Sequence, residues 1–182
     1  MGNAAAGAGL SYLMAGNTVL ARQWFDRAVE RYRESFALAP PGSCGRPIAM
    51  IKARILSGDA TAAQAESRWT LEQGVAEAES PIARYAATLA YLVLGEDDAA
   101  RALAEGLRSR ADFPVPVAAA LAALAAADAV AYADAVQTVL ESFETREEYL
   151  EDLPVADTVI VLQALAGRRG LAARLTSPLL PA

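Results

Sequence analysis

Acidic side chains are the residues whose number and spacing in this sequence suggest chemistry most directly. Residues 147–154 read EEYLEDLP, with four carboxylates and one tyrosine in eight positions. Glycosidases use two carboxylates that face each other across a substrate, and an apolar pocket raises the pKa of one of them. Acids that follow one exposed side of a helix meet neither requirement. Catalysis is therefore the weakest interpretation of this segment.

Two other interpretations of the acidic segment, residues 141–152, stay open: a docking surface for a basic partner, or a solvated and well-capped helix face. On a continuous helix most of these acids would fall within roughly a quarter-turn, but Glu147 would lie on the apolar side. A helix break near Thr145 would relieve this, with Thr145 as N-cap and Glu148 as its capping-box acid. The partner-binding candidates are Glu141, Glu144, Glu148, Tyr149, Glu151 and Asp152.

The chain contains no histidine, which removes the commonest general base, most zinc sites and the Glu-x-x-His motif of di-iron bundles. Its one cysteine, Cys44, lies in the segment PPGSCGRP. Without a histidine base we interpret this thiol as an incidental loop residue. The glycine pairs in GSCG and GRRG lack the lysine and the spacing of a phosphate-binding loop. We therefore predict a protein that is not an enzyme and that has no cofactor or metal.

Charge and composition limit the classes of partner. The formal net charge is −6 and the pI is about 4.7, whereas nucleic-acid binding needs a cationic face. A basic protein partner fits this charge. No apolar run is long enough to span a bilayer, no cationic segment marks a secretory signal, and one cysteine allows no internal disulfide. We expect a soluble, cytoplasmic protein without nucleic-acid or membrane partners; the sequence does not predict its oligomeric state.

Turn and helix-start signals divide the chain into segments of helix length within one domain, residues 1–182. Apolar residues recur at spacings of three and four in residues 19–36, 82–94 and 129–143, which is typical of amphipathic helices. Residues 157–163, DTVIVLQ, are β-branched enough for a strand, but the continuation ALAGRRG favours a last helix. The pattern predicts an all-α fold of stacked antiparallel helical hairpins, with about nine to ten helices.

One local unit recurs along the chain: a helix ends in glycine, an acidic or amide residue follows, and the next helix opens with small residues. The unit occurs at Gly16, Gly58 and Gly95, and in weaker form at Ala127-Asp128. The first copy, GLSYLMAGNTVLARQWFDRAV, resembles a tetratricopeptide repeat, and ATLAYLVLGEDDAARALAEGL is similar to it. Because no hairpin of this kind can bury its apolar face alone, the resemblance implies a degenerate repeat stack with one shared core.

The last third of the chain carries a second resemblance. The segment EEYLEDLPVADTVIVLQALAGRRGLAARLTSPLLP is similar to the end of the immunity protein 49 family of bacterial polymorphic-toxin systems. The matching positions are Leu165, Ala166, Arg169, Gly170, Leu171, Ser177, Leu180 and Pro181. The resemblance implies a small cytosolic antidote that binds a cognate toxin and blocks it without catalysis.

Three functions follow from these observations. The first is a non-catalytic immunity protein whose acidic segment meets a basic toxin. The second is a tetratricopeptide-like scaffold that holds a peptide or protein partner in its groove. The third, an enzyme that uses the acidic segment, ranks last because the chain has no histidine.

Overall fold

The computed structural model describes residues 1–181, and within this range the chain is all-α, as the sequence predicts. Nine α-helices follow one another, and one 3₁₀ turn, Leu150–Asp152, precedes the last of them. None of the helices in this range has both the length and the apolar character that a bilayer crossing requires. The helices are α1 Gly2–Met14, α2 Thr18–Ala37, α3 Gly45–Leu56, α4 Ala60–Glu72, α5 Pro81–Leu94, α6 Asp97–Arg108, α7 Val115–Ala125, α8 Ala129–Glu144 and α9 Asp157–Gly167.

The recurring turn unit forms as predicted. Asn17 and Asp59 each accept a hydrogen bond from a backbone N–H three residues later, and Asp128 accepts from the N–H groups two and three residues later. These side chains satisfy amide groups that a helix start leaves without partners. At the fourth turn Ala127 has a φ of 53°, in the left-handed region where the other three turns use glycine. The fourth unit matches the sequence pattern less well because alanine stands at the position where the other units have glycine.

Consecutive helices from α1 to α8 pack against one another as antiparallel neighbours, which produces the predicted stack of hairpins. Two large apolar clusters form its interior, and α3 joins them. Met50 and Ala53 of α3 belong to the N-terminal cluster, whereas Ile51 and Ile55 belong to the larger cluster built from the later helices. The two faces of α3 thus connect the first hairpin to the remainder of the molecule.

The first hairpin is tight because glycines of α1 meet aromatic rings of α2. A Cβ at Gly9 would lie 2.7 Å from the ring of Phe25, and a Cβ at Gly2 would lie 2.6 Å from the ring of Tyr32. Any side chain at these positions would overlap a ring that is itself buried. The contact between the two helices therefore consists of the α1 backbone packed directly against rings of α2, and not of interlocking side chains.

Helix α9 lies in the interior of the stack and contacts α3, α7 and α8. No residue from Val155 to Ala166 is exposed, and the helix is apolar on all sides, which is typical of a fully enclosed helix. This confirms the prediction of a last helix in place of a strand. Its fully buried side chains include Leu162 and Leu165.

Ionic contacts hold both ends of α9. At its start the Lys52 ammonium of α3 donates to the Asp157 carboxylate and, over 3.1 Å, to the Thr158 hydroxyl. Just beyond its end, Arg169 donates to the Leu92 carbonyl over 2.8 Å and also bonds the Asp97 carboxylate. The helix is therefore fixed to α3 at one end and to the α5–α6 turn at the other.

After α9 the chain runs back along the helix in an extended conformation. Gln163 connects the two segments: its amide donates to the Ala173 carbonyl over 2.6 Å, and its carbonyl accepts from the Ala173 N–H over 3.1 Å. The same carbonyl accepts from the Tyr132 hydroxyl over 2.9 Å. Near the end of the return, the Leu179 carbonyl accepts from the Ala156 N–H over 2.9 Å.

We predict that Gln163→Leu lowers the free energy of unfolding by about 1–3 kcal/mol, because it leaves the buried Tyr132 hydroxyl and the Ala173 backbone without partners. Urea unfolding measures this loss, and proteolysis should cut residues 168–181 sooner than in the unmodified protein. Gln137→Leu, on the exposed face of α8, is the matched control and should change little. Equal stability of the two variants would contradict this role of Gln163.

We also predict opposite effects for two Gly→Ala changes in helices. Gly9→Ala should destabilise the protein by about 1–3 kcal/mol, because the new methyl group overlaps the immobile Phe25 ring. Gly106→Ala meets only the end of Arg84, 3.6 Å away, so the better helix propensity of alanine should stabilise α6 by about 0.5–1 kcal/mol. Thermal unfolding of both variants tests the pair. A stabilising Gly9→Ala would disprove the close approach of α1 and α2.

Candidate functional site

The acidic segment spans the end of α8 and the connection to α9. Glu141 and Glu144 lie in the last turn of α8, and Glu148 lies in the link that follows. Glu151 and Asp152 belong to the 3₁₀ turn. All five of these carboxylates are exposed, so the structure brings them to one stretch of surface without burying any of them.

The predicted helix break near Thr145 is correct, but the predicted second helix is wrong. Thr145 caps the C-terminus of α8, where its hydroxyl donates to the Glu141 carbonyl over 3.1 Å, and no helix begins there. Glu148 consequently caps nothing. The reason is the position of the apolar residues after the break: Leu153 and Val155 join the N-terminal cluster near α1. An extended link reaches that cluster, whereas a helix of the same length would be too short.

Tyr149 differs from the other candidates because it points towards the protein. Its ring is half-buried against the main core, and its hydroxyl donates to the Phe143 carbonyl over 2.7 Å. That carbonyl belongs to the last turn of α8, where backbone acceptors have no partner within the helix. Tyr149 therefore fastens the acidic link to α8 and presents only part of its ring to solvent.

The acidic segment concentrates the charge of the molecule. Residues 141–152 contain six carboxylates and one arginine, and so carry five of the six net negative charges. None of the six forms a salt bridge with another residue of the range 1–181. The one arginine, Arg146, lies over the Phe143 ring instead, with its guanidinium carbon 3.6 Å from the ring centre. The segment thus presents uncompensated negative charge.

Two of the acidic residues have a strained backbone. Glu151 and Asp152 have φ values of 52° and 55°, a left-handed conformation that costs a non-glycine residue roughly 1–2 kcal/mol. Contact with α1 supports this conformation, since a Cβ at Gly7 would lie 3.3 Å from the Glu151 Cβ and Cγ atoms. The small-residue face of α1 therefore sets the position of the strained turn.

The Lys52–Asp157 pair is a charged feature that the sequence reasoning missed. Both side chains are largely buried, with 16% and 22% of their surface exposed. Burial alone would lower the pKa of Lys52, but the attraction and hydrogen bond of Asp157 outweigh it and raise the pKa above its ordinary value. The one sequence feature that singles out Lys52 is composition, because it is the one lysine of the chain beside fifteen arginines. Nothing in the sequence placed its partner 105 residues later.

Cysteine and carboxylate groups elsewhere give no sign of a reactive or metal-binding centre in the part of the chain that the structure describes. Cys44 lies in the turn before α3, as expected, but it is buried, and burial raises the pKa of its thiol. A thiol with a raised pKa is a poor nucleophile at neutral pH. Across residues 1–181, no group of three or more histidine, cysteine, aspartate or glutamate side chains is arranged to hold a metal ion.

A tetratricopeptide-like scaffold would hold its partner in a groove between helices. Helix α9 fills the space between α3, α7 and α8 with its own apolar side chains. A peptide could enter this space only after α9 had left it, which would expose residues such as Val159, Leu162 and Leu165. Each of these side chains contributes roughly 1.5–3 kcal/mol through burial.

Comparison of the whole chain with protein-family models, with curated proteins and with solved structures finds no match.

Proposed function

We propose that this protein is a non-catalytic immunity protein, which neutralises a bacterial toxin by binding a basic surface of that toxin with residues 141–152. The observation that supports this proposal is the exposed cluster of six carboxylates without salt bridges in residues 141–152. The likeness of the C-terminal third to immunity protein 49 supplies the class of partner.

Charge is the physical basis of the proposed recognition. Carboxylates that lack an internal partner create a negative potential outside the molecule, which attracts a cationic surface and raises the association rate. Eight carboxylates elsewhere in residues 1–181 are paired with basic side chains and contribute far less to this field. Carboxylates without a salt bridge are most closely spaced along the chain in residues 141–152, at the α8–α9 connection.

The strained turn adds pre-organisation to charge. Glu151 and Asp152 are held in the left-handed conformation by the approach of α1, and Tyr149 is fastened to α8. A partner would consequently meet carboxylates whose backbone is already fixed, so less conformational entropy is lost on binding. In this arrangement Tyr149 contributes to affinity through the positions of the acids more than through direct contact.

We predict that the triple change Glu144→Gln, Glu148→Gln and Glu151→Gln slows association with the cognate toxin domain, which would be sought among the products of neighbouring genes, by about tenfold at low salt. The reason is the loss of half of the unpaired carboxylates in the segment. Stopped-flow association rates measure the effect, and co-expression in a bacterial host measures protection against the toxin. Added salt should shrink the difference between variant and unmodified protein.

A second triple variant provides the control: Glu72→Gln, Glu77→Gln and Glu79→Gln remove the same charge from exposed positions at the end of α4 and in the loop that follows it. This variant should keep nearly the original association rate. Equal rates and equal protection for both triples would rule out the acidic segment as the contact. Absence of protection by the unmodified protein would rule out the antidote function itself.

A further inference from the structure

A cavity of about 250 Å³ lies between α1, α2, α3 and the start of α9. Its walls are largely apolar, with Leu10, Phe25 and Leu56 among them. A wider surface groove of about 640 Å³ adjoins it. Four residues line both spaces and therefore lie where the two meet, a boundary that we call the neck: Asn3, Tyr32, Gly45 and Ala49.

Contacts within the protein fix two residues of the neck, Tyr32 and Asn3. The Tyr32 hydroxyl donates to the Asn3 side-chain carbonyl over 2.8 Å, and the Tyr32 ring packs so close to Gly2 that a Cβ there would lie 2.6 Å from it. Burial raises the pKa of Tyr32 to about 12, so the hydroxyl stays neutral and keeps its donor. The bond leaves the Asn3 amide nitrogen with N–H groups that can donate to a bound molecule.

The groove outside the neck contains one cation and one anion that are not paired with each other. Arg46 donates to the Ser35 hydroxyl and has no carboxylate within salt-bridge distance among residues 1–181. Glu151 lines the same groove, also without a salt bridge. The other two charged side chains there, Arg31 and Glu34, pair with each other over 2.9 Å. Among its side chains the groove therefore offers one free charge of each sign, and Met1, whose α-ammonium group is a further cation, lines it as well.

The inner end of the cavity offers no free charge. Lys52 and Asp157 line it, but they neutralise each other, and Thr158 bonds to both side chains. An apolar group can lie against such a pair without leaving a buried charge unpaired. The two spaces thus differ in character: separated opposite charges outside, and an apolar space with a neutral end inside.

We propose that this site binds a free α-amino acid with an apolar side chain. The carboxylate lies at Arg46 and the Asn3 amide, the ammonium group lies at Glu151, and the side chain passes the neck into the cavity. The volume agrees with this occupant, because pockets for drug-sized ligands measure about 300–1,000 Å³ and this cavity is smaller. Neither a simple fatty acid nor a simple amine satisfies both free charges.

Three probes test the proposal on the intact protein: phenylalanine, 3-phenylpropionate, which lacks the ammonium group, and phenylalaninamide, which lacks the carboxylate. Titration followed by protein NMR shifts or calorimetry should show saturable binding of phenylalanine. Each of the other probes should bind about tenfold more weakly, because it loses one charge-assisted contact.

Matched variants locate the site. Arg46→Gln should weaken phenylalanine binding about tenfold and remove the preference over phenylalaninamide, whereas Arg68→Gln, an exposed arginine of α4, should leave binding unchanged. Glu151→Gln should weaken phenylalanine binding and leave 3-phenylpropionate unaffected, with Glu72→Gln as its control. Ala49→Phe should abolish binding by filling the neck. If that variant does not fold, Gly45→Leu takes its place, because a Cβ at this position of the neck meets no atom within 4 Å.

Lack of saturable phenylalanine binding by the unmodified protein would overturn the proposal. So would equal affinity for phenylalanine and 3-phenylpropionate, or unchanged binding after Arg46→Gln. These measurements use the isolated protein, so they are independent of whether residues 141–152 bind a toxin.

Discussion

Enclosure of α9 is the constraint on which the remaining structure depends. A helix that is apolar on all sides cannot remain in water, so the hairpins must surround it. Its two ends bring charges with them, and these are met by Lys52 of α3 and by Asp97 at the start of α6. The contacts of α9 with α3, α7 and α8 therefore connect α3 with helices that are not its neighbours in the stack of hairpins.

The same constraint places the acidic segment at the surface. The chain must travel from the end of α8 to the enclosed start of α9 and pass α1 on the way. Leu153 and Val155 can pack into the N-terminal cluster along this path, but unpaired carboxylates cannot be buried there. The acids are therefore exposed, and the closeness of Gly7 allows the tight left-handed turn at Glu151 and Asp152.

Charge pairing separates the two proposed sites by chemistry. In residues 141–152 negative charges accumulate without partners, which suits a macromolecular surface of opposite sign. Around the cavity, Lys52 and Asp157 cancel each other, and single charges at Arg46 and Glu151 remain in the groove. Glu151 belongs to both regions, so a large partner that covers the acidic segment would also cover one side of the groove.

Local information in the sequence determined the helices and their ends, because helix periodicity and caps such as Asn17, Asp59 and Asp128 depend on residues within a few positions of each other. It likewise determined that the carboxylates of residues 141–152 would be exposed. Tertiary structure decided what lies far apart in the chain: that Tyr149 faces the core, that Thr145 ends a helix and does not start one, and that Lys52 meets Asp157. These outcomes depend on the path that the chain takes from α8 to the enclosed α9. That path is set by the packing of all the helices together, and no local sequence pattern contains this information.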